Sequence, residues 1–300
     1  MKIAVAVDLS VESHFALRWA LDLRDHMRER GQRVETYAYT VPADNEDFAY
    51  RNLAGYSRTD EGPGVQRRLS HQIRAFLESV RSDVDDVEIV VEEGNVAKKI
   101  AAFCAAEDID WLVAGQSTVG PFARLVMGSI IHDLTEMAPS NLAIVHPEHA
   151  RLEEKSELVV GIDFLPGSEA ALLAGAQIAE LIRGRLHLIH ALEDAPTGTT
   201  SAVGGPRSST DIARITDNAR HSLQELMVNV HERYPDVDYT TFVHSGRAKR
   251  VLANFIERRH ADAAFFGKVD HSTMEKWLFG SVSRALLRRM PTTMVLVPAQ

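Results

Sequence analysis

Short apolar runs alternate with longer stretches whose apolar residues recur every three to four positions, and the alternation holds along the chain. IAVAV (3–7) is apolar throughout and stops at Asp8. That is the pattern of a strand buried on both faces, because a half-exposed strand would alternate apolar and polar residues. Over 12–30, Phe15, Leu17, Ala20, Leu21 and Leu23 predict a helix that Gly31 closes. VETYAYTV (34–41) predicts a strand, and Leu69, Ile73, Phe76, Leu77 and Val80 mark one stripe of a second helix. VEIVVE (87–92), a helix from Val96 to Ala106, WLVA (111–114), a helix from about Gly128 and LAIV (142–145) complete the series.

The order then repeats. LVVGI (158–162), a helix over 167–183, LHLIHA (186–191), a helix over 210–233 and VDYTTFV (237–243) come first. A helix over 247–259, AAFF (263–266), a helix from Gly280 and MVLV (294–297) follow. Gly94 and Gly246, Gly115 and Gly267, Gly128 and Gly280, Ser129 and Ser281, and Pro139 and Pro291 all pair at an offset of 152. Asp8 and Asp163, with Ser13 and Ser168, pair at 155, so a connecting segment differs in length by three residues. A period this long means duplicated domains rather than a solenoid of short repeats. Strands alternating with helices imply parallel sheets with helices on both faces. The predicted fold is therefore α/β: two tandem doubly wound domains, each a five-stranded parallel sheet, over 1–147 and 155–300, with the polar stretch 148–154 as linker. The longest irregular pieces, 42–64 and 193–209, both follow the second strand of their half.

Each half also carries a strand ending in aspartate (Val7-Asp8, Ile162-Asp163) and a spaced glycine loop. The first loop is Gly115-Gln116-Ser117-Thr118, nine residues, then Gly128-Ser129; the second is Gly267-Lys268-Val269-Asp270, nine residues, then Gly280-Ser281. With the Pro-x2-apolar endings at Pro139 and Pro291, the chain resembles the universal stress protein family over nearly its whole length, twice. In members of that family that bind ATP, these elements hold the nucleotide. The resemblance places the contacts at Asp8, Val41, Gly115, Thr118, Gly128, Ser129 and Ile130 in the first half. In the second they fall at Asp163, Ala191, Gly267, Gly280, Ser281 and Val282. It also implies that the halves pair through their last strands, 142–145 and 294–297, and that whole chains associate further into homo-oligomers.

The residue types suit that chemistry independently of the resemblance. Glycine after a strand permits a sharp turn and close approach of backbone N–H groups to a phosphate. Gly-Ser at a helix start offers unpaired N–H groups and the positive end of the helix dipole. The same glycines would equally serve helix–strand packing, and the aspartates loop ordering or helix capping. The family's middle glycine is missing from both halves. Threonine at 118 would cost roughly 1–3 kcal/mol if the position needs a positive φ. Aspartate at 270 would repel a phosphate charge about 4 Å away by roughly 4 kcal/mol at an effective dielectric of 20. A bridging Mg²⁺ would reverse that sign. The first half is thus the expected ATP site and the second a degenerate one.

Composition narrows the functions. A net charge of −9 argues against a nucleic-acid binder, which tracks phosphates with a positive excess. The opening apolar run ends at Asp8, too short for a signal peptide, and no stretch approaches a membrane span, so the expected location is cytoplasmic. The single cysteine, Cys104, has a helix-interior setting and reads as a buried core residue. GQSTVG (115–120) misses the Gly-x-Ser-x-Gly elbow by one position, and neither a P-loop nor a Gly-x-Gly-x2-Gly fingerprint is present. His146 with His149, and His187 with His190, lack a matching acidic or Cys partner, so no metal site is expected. Arg247, Lys249 and Arg250 read as a solvated helix face. No catalytic residue is assigned. The expected function is a stress-response sensor or regulator that binds ATP, with slow hydrolysis at most; the alternative is a nucleotide-free scaffold acting through its paired domains.

Overall fold

The computed structural model of the chain describes residues 1–41, 63–116, 129–193, 209–270, 277–278, 285–287 and 292–299. The first half runs β1 (Lys2–Ala6), α1 (Val11–Glu29), β2 (Glu35–Thr40), α2 (Pro63–Val80), β3 (Val87–Val91), α3 (Val96–Ala106), β4 (Trp111–Gly115), α4 (Ser129–Met137) and β5 (Asn141–Val145). A 3₁₀ turn, Pro147–His149, leads into the second half. That half runs β6 (Glu157–Gly161), α5 (Pro166–Ile182), β7 (Arg185–Leu192), α6 (Ser209–Arg233), β8 (Asp238–Ser245), α7 (Ala248–Arg259), β9 (Ala263–Gly267), β10 (Val269–Asp270), β11 (Trp277–Leu278) and β12 (Thr293–Val297). Residues 285–287 are helical.

The halves share one ten-stranded sheet of order β3-β2-β1-β4-β5-β12-β9-β6-β7-β8. Every step inside a half is parallel, as expected. The single step between halves is antiparallel, with Leu142 opposite Leu296, Ala143 opposite Val295 and Ile144 opposite Met294. β12 is buried at every residue, so the apolar last strands cover each other's edges instead of exposing them. Ile3, Val5 and Val7 face one core with α1, α2, α5 and α6, while Ala4 faces the other with α3, α4 and α7. Both cores draw on both halves.

The repeated residues explain themselves locally. Gly94 and Gly246, the residues two before α3 and α7, adopt φ of 132° and 134°, where a side chain would be strained. Asp110 and Asp262 each accept the first backbone N–H of the neighbouring strand, from Lys2 at 2.7 Å and Glu157 at 2.8 Å. Ser10 caps α1, its hydroxyl accepting the Ser13 N–H at 3.1 Å, which stabilises a helix by about 1 kcal/mol.

Two features depart from the expected outline. The residues after β9 form a small antiparallel ribbon, Val269 opposite Leu278 and Asp270 opposite Trp277, where an open loop is expected. Helix ends and strand ends mostly shift by one or two residues, while α2 begins at Pro63, six residues before Leu69; most of the helix expected from Gly280 lies outside the described residues. Of the two long irregular pieces, 42–62 and 194–208 lie outside the described residues.

Candidate functional site

In an open parallel sheet, a crevice forms where the strand order reverses and the crossovers leave to opposite faces. In the first half that point lies between β1 and β4. A cleft of about 170 Å³ opens there, at the carboxyl ends of the strands. β1 supplies Ala6 and, just beyond it, Val7 and Asp8; β2 supplies Tyr39 and then Val41; β4 supplies Ala114 and Gly115. Val96 and Ile100 of α3 and Ile130, Ile131 and Leu134 of α4 form the apolar wall. Its volume is below the roughly 300–1,000 Å³ of whole-ligand sites, so it suits a ring system more than an entire nucleotide.

Asp8, Val41, Gly115 and Ile130 thus come together from four separate stretches of chain. Ser129 starts α4 beside them; Thr118 and Gly128 lie outside the described residues. The carboxylate of Asp8 is not idle: Oδ1 accepts the Ser10 N–H at 3.0 Å and the Ser10 hydroxyl as well. These bonds hold Leu9 in the left-handed region at φ 62°, a conformation a leucine avoids unless its surroundings enforce it. Gly115 has a second duty. A Cβ there would lie 2.2 Å from the Glu12 carbonyl oxygen, so the glycine lets the first turn of α1 settle directly on β4. Buried Tyr39 donates its hydroxyl to the Lys99 carbonyl at 3.3 Å, and burial raises the phenol's pKa.

The second half repeats the backbone but fills the space differently. Asp163 Oδ1 accepts the Leu165 N–H at 3.0 Å, and Phe164 takes φ 61°, as Leu9 does. A Cβ on Gly267 would meet the Gly167 carbonyl carbon at 2.1 Å. Ala191 lies in β7 and is half-buried, whereas its first-half counterpart Val41 follows the end of β2. Gly280, Ser281 and Val282 lie outside the described residues. Past Gly267, Lys268 leaves its own half: it is fully buried and donates from Nζ to the Ala138 carbonyl at the end of α4, 2.8 Å away. Burial lowers its pKa to about 7. β11 then packs against α4, so this loop is drawn across the seam between the halves.

The remaining candidates are structural. Cys104 is 1% exposed and its thiol is pushed up to about 11 by burial, so it is no nucleophile. His187 is buried against Thr240 and Glu157, while His190 bonds the Ile162 carbonyl at 2.8 Å, and the two do not converge. Arg247, Lys249 and Arg250 are exposed, and the start of α7 receives the Glu193 carboxylate on the Ala248 N–H at 2.9 Å. Sequence reasoning missed Ser10 and Glu12 as cleft residues. Ser10 was findable as a hydroxyl two residues before the predicted helix; Glu12 became a wall only through the α1–β4 contact.

The Usp model, described as the universal stress protein family, matches residues 1–146 and again 156–298. Universal stress protein Rv2005c of Mycobacterium tuberculosis is 27% identical over 299 residues, covering 95% of this chain and 92% of its own. Universal stress protein Mb2028c of Mycobacterium bovis matches to the same extent, 27% over 299 residues. In fold, the chain is similar to the crystal structure of a universal stress protein from Archaeoglobus fulgidus. That likeness has a TM-score of 0.65 and 15% identity, and covers 100% of this chain and 98% of the other.

Proposed function

Since the chain belongs to the universal stress protein family, we propose that it is a stress-response regulator that binds an adenine nucleotide, ATP first, in its first-half cleft. One observation carries this reading: Asp8, Val41, Gly115 and Ile130 converge on one apolar-walled cleft where the strand order reverses. Apolar walls from α3 and α4 suit a base, and a carboxylate at the strand end suits ribose hydroxyls. Phosphates would then run toward the start of α4, where the helix dipole favours negative charge.

Turnover is slow or absent in this reading. Among the described residues, the charged side chains lining the cleft, Asp8 and Glu12, are both acidic, which disfavours the negative charge that develops on a phosphate in transfer. Mg²⁺ would bind beside the Asp8 carboxylate if it accompanies the nucleotide. The second half binds weakly or not at all, because Asp270 adds charge and the ribbon commits the backbone after Gly267 to pairing. The protein would act in the cytoplasm; among the described residues no helix is long and apolar enough to cross a membrane. Association of whole chains would use another face, since β5 and β12 already cover each other.

A nucleotide-free scaffold is the second reading, favoured because Gly115 and Asp8 both have structural duties that need no ligand. Native mass spectrometry of fresh protein and thermal shift with ATP separate the two. The first reading expects a retained adenine nucleotide or a saturable stabilisation, lost in Val41→Trp, which fills the cleft. Neither a retained ligand nor a shift at millimolar ATP would leave the scaffold. If position 118 needs the positive φ of the family's glycine, Thr118→Gly is expected to tighten ATP binding, by about tenfold for each 1.4 kcal/mol of cost relieved. Unchanged affinity would mean that the residue is not a phosphate contact.

A further inference from the structure

The turn between the halves holds two imidazoles and a carboxylate side by side. One ligand-type atom from each of His146, Glu148 and His149 lies within 4.8 Å of the others. From sequence alone this histidine pair lacks a matching acidic partner. The fold supplies two, Glu148 within the same turn and Asp262 from the start of β9, more than a hundred residues away. From this cluster we infer a binding site for a divalent cation of the zinc class, with His146, Glu148 and His149 as ligands and Asp262 behind His149.

Each ligand atom can be assigned from its hydrogen bonds. His149 Nδ1 lies 3.4 Å from Asp262 Oδ1. A carboxylate only accepts, so Nδ1 carries the proton and Nε2 presents its lone pair. This is the carboxylate–histidine arrangement that orients metal ligands and raises their basicity. On His146, Nδ1 accepts the Glu148 backbone N–H at 3.2 Å. The lone pair is therefore on Nδ1, and a cation there takes the place of the Glu148 N–H. Glu148 is exposed and free to swing, and the His149 side chain is 20% exposed, so the cation enters from solvent.

The turn itself is held rigidly. Buried Thr293 of β12 accepts the His146 N–H at 3.1 Å and donates to the His149 carbonyl at 2.8 Å. The His149 N–H closes the turn onto the His146 carbonyl at 3.0 Å. Ligands bound at about 2.1 Å to one tetrahedral ion sit roughly 3.4 Å apart, so the side chains close in from the spacing of up to 4.8 Å to complete the shell. Two neutral imidazoles and one carboxylate select a borderline cation (Zn²⁺, Co²⁺ or Ni²⁺) over Mg²⁺ or Ca²⁺, which take oxygen shells. Three protein ligands leave the fourth position to water. Because Asp262 also holds the Glu157 N–H, the bound ion would brace β5, β6 and β9 together at the seam.

The test uses the full-length chain, free of any affinity tag and stripped of metal by chelation. Zn²⁺ is titrated by calorimetry and in competition with a chromophoric chelator, without nucleotide present, so the outcome is separate from that of the ATP reading. One Zn²⁺ per chain is expected, with micromolar or tighter affinity and a rise in melting temperature. Co²⁺ should give the intense visible absorption of a tetrahedral nitrogen–oxygen site. His149→Ala and His146→Ala should each weaken binding more than tenfold, and Asp262→Asn by about tenfold with the stoichiometry kept. Glu148→Gln, an exposed change that leaves the fold intact, should also weaken it. The absence of saturable Zn²⁺ binding to 100-fold above about 1 µM would overturn the site, as would affinity unchanged in both Glu148→Gln and His149→Ala.

Discussion

Lys268 shows how far a single side chain can depart from what its neighbours in sequence imply. It follows a strand-end glycine in a loop-like stretch, yet its amino group is buried at the seam and donates to the Ala138 carbonyl. Burial brings its pKa down to about 7, well below the ordinary 10.5. Between those two values the unfolded chain binds the extra proton and the folded one does not. Stability from this group therefore rises as pH increases from 7 to 10.5, by roughly 1 kcal/mol per pH unit, and falls as pH drops toward 7. Lys268→Met should remove that slope and raise the melting temperature at pH 7, both read by thermal denaturation across pH. A melting curve equally pH-dependent in the variant would show that the lysine is not the titrating group. Gly115→Ala makes the opposite kind of change: it drives a methyl group to 2.2 Å from the Glu12 carbonyl and should destabilise by about 2 kcal/mol. Chemical denaturation measures that cost directly. Both the glycine at the end of β4 and its repetition at the end of β9 were legible in the sequence. The reason was not, because the contact joins residues 12 and 115 and exists only once α1 lies on β4.

At the scale of elements, α1 carries the clearest internal tension. Its buried stripe includes Leu17, Leu21 and Leu23, and also Arg24, which is 1% exposed. The guanidinium is accommodated because Asp25, Asp83 and Asp86 surround it at 2.8–3.0 Å and the Asp83 carbonyl takes one more N–H at 3.1 Å. Arg81 adds bonds to Asp25 and Asp83. The network ties α1 to the segment between α2 and β3 across some sixty residues of chain. Arg24→Met keeps the apolar stem but leaves three carboxylates under-compensated. Their partial exposure softens the penalty, to about 2 kcal/mol. The hydrogen bond from Arg81 holds the Asp83 carboxyl below its ordinary 3.8. Its stabilising contribution is thus present above pH 3.8 and lost as pH falls through the lower folded value. Asp83→Asn should accordingly blunt the acid limb of the unfolding profile while leaving neutral-pH secondary structure intact. Most described helices and strands were readable from periodicity to within one or two residues, although α2 begins six residues before Leu69, the first apolar residue of its stripe. The ribbon β10–β11 was not: two-residue strands have no period, and this one forms where the loop reaches across to α4.

The whole molecule is organised around one antiparallel step, β5 against β12, that turns two five-stranded sheets into one ten-stranded sheet. With both cores shared across that step, the halves should unfold together. Calorimetry is expected to give a single transition, and two resolved transitions would show that the seam is weak. Val295→Asp places a carboxylate opposite Ala143 in a fully buried strand and should cost about 3–5 kcal/mol. Loss of the Zn²⁺-dependent stabilisation would be expected to accompany it, because Thr293 of the same strand fixes the histidine turn.

Periodicity, the glycine and aspartate positions, and the offset of 152 residues were enough to determine the α/β class, the duplication and the strand that ends at each candidate site. Those signals are local or repetitive, so they survive in one dimension. Tertiary structure alone decided what each site became. It set Glu12 against Gly115, turned Lys268 out of its own half, closed Asp8 onto its loop and carried Asp262 behind His149. Each of these joins groups far apart along the chain, and no pattern within a single stretch of sequence encodes which distant surface a side chain will meet.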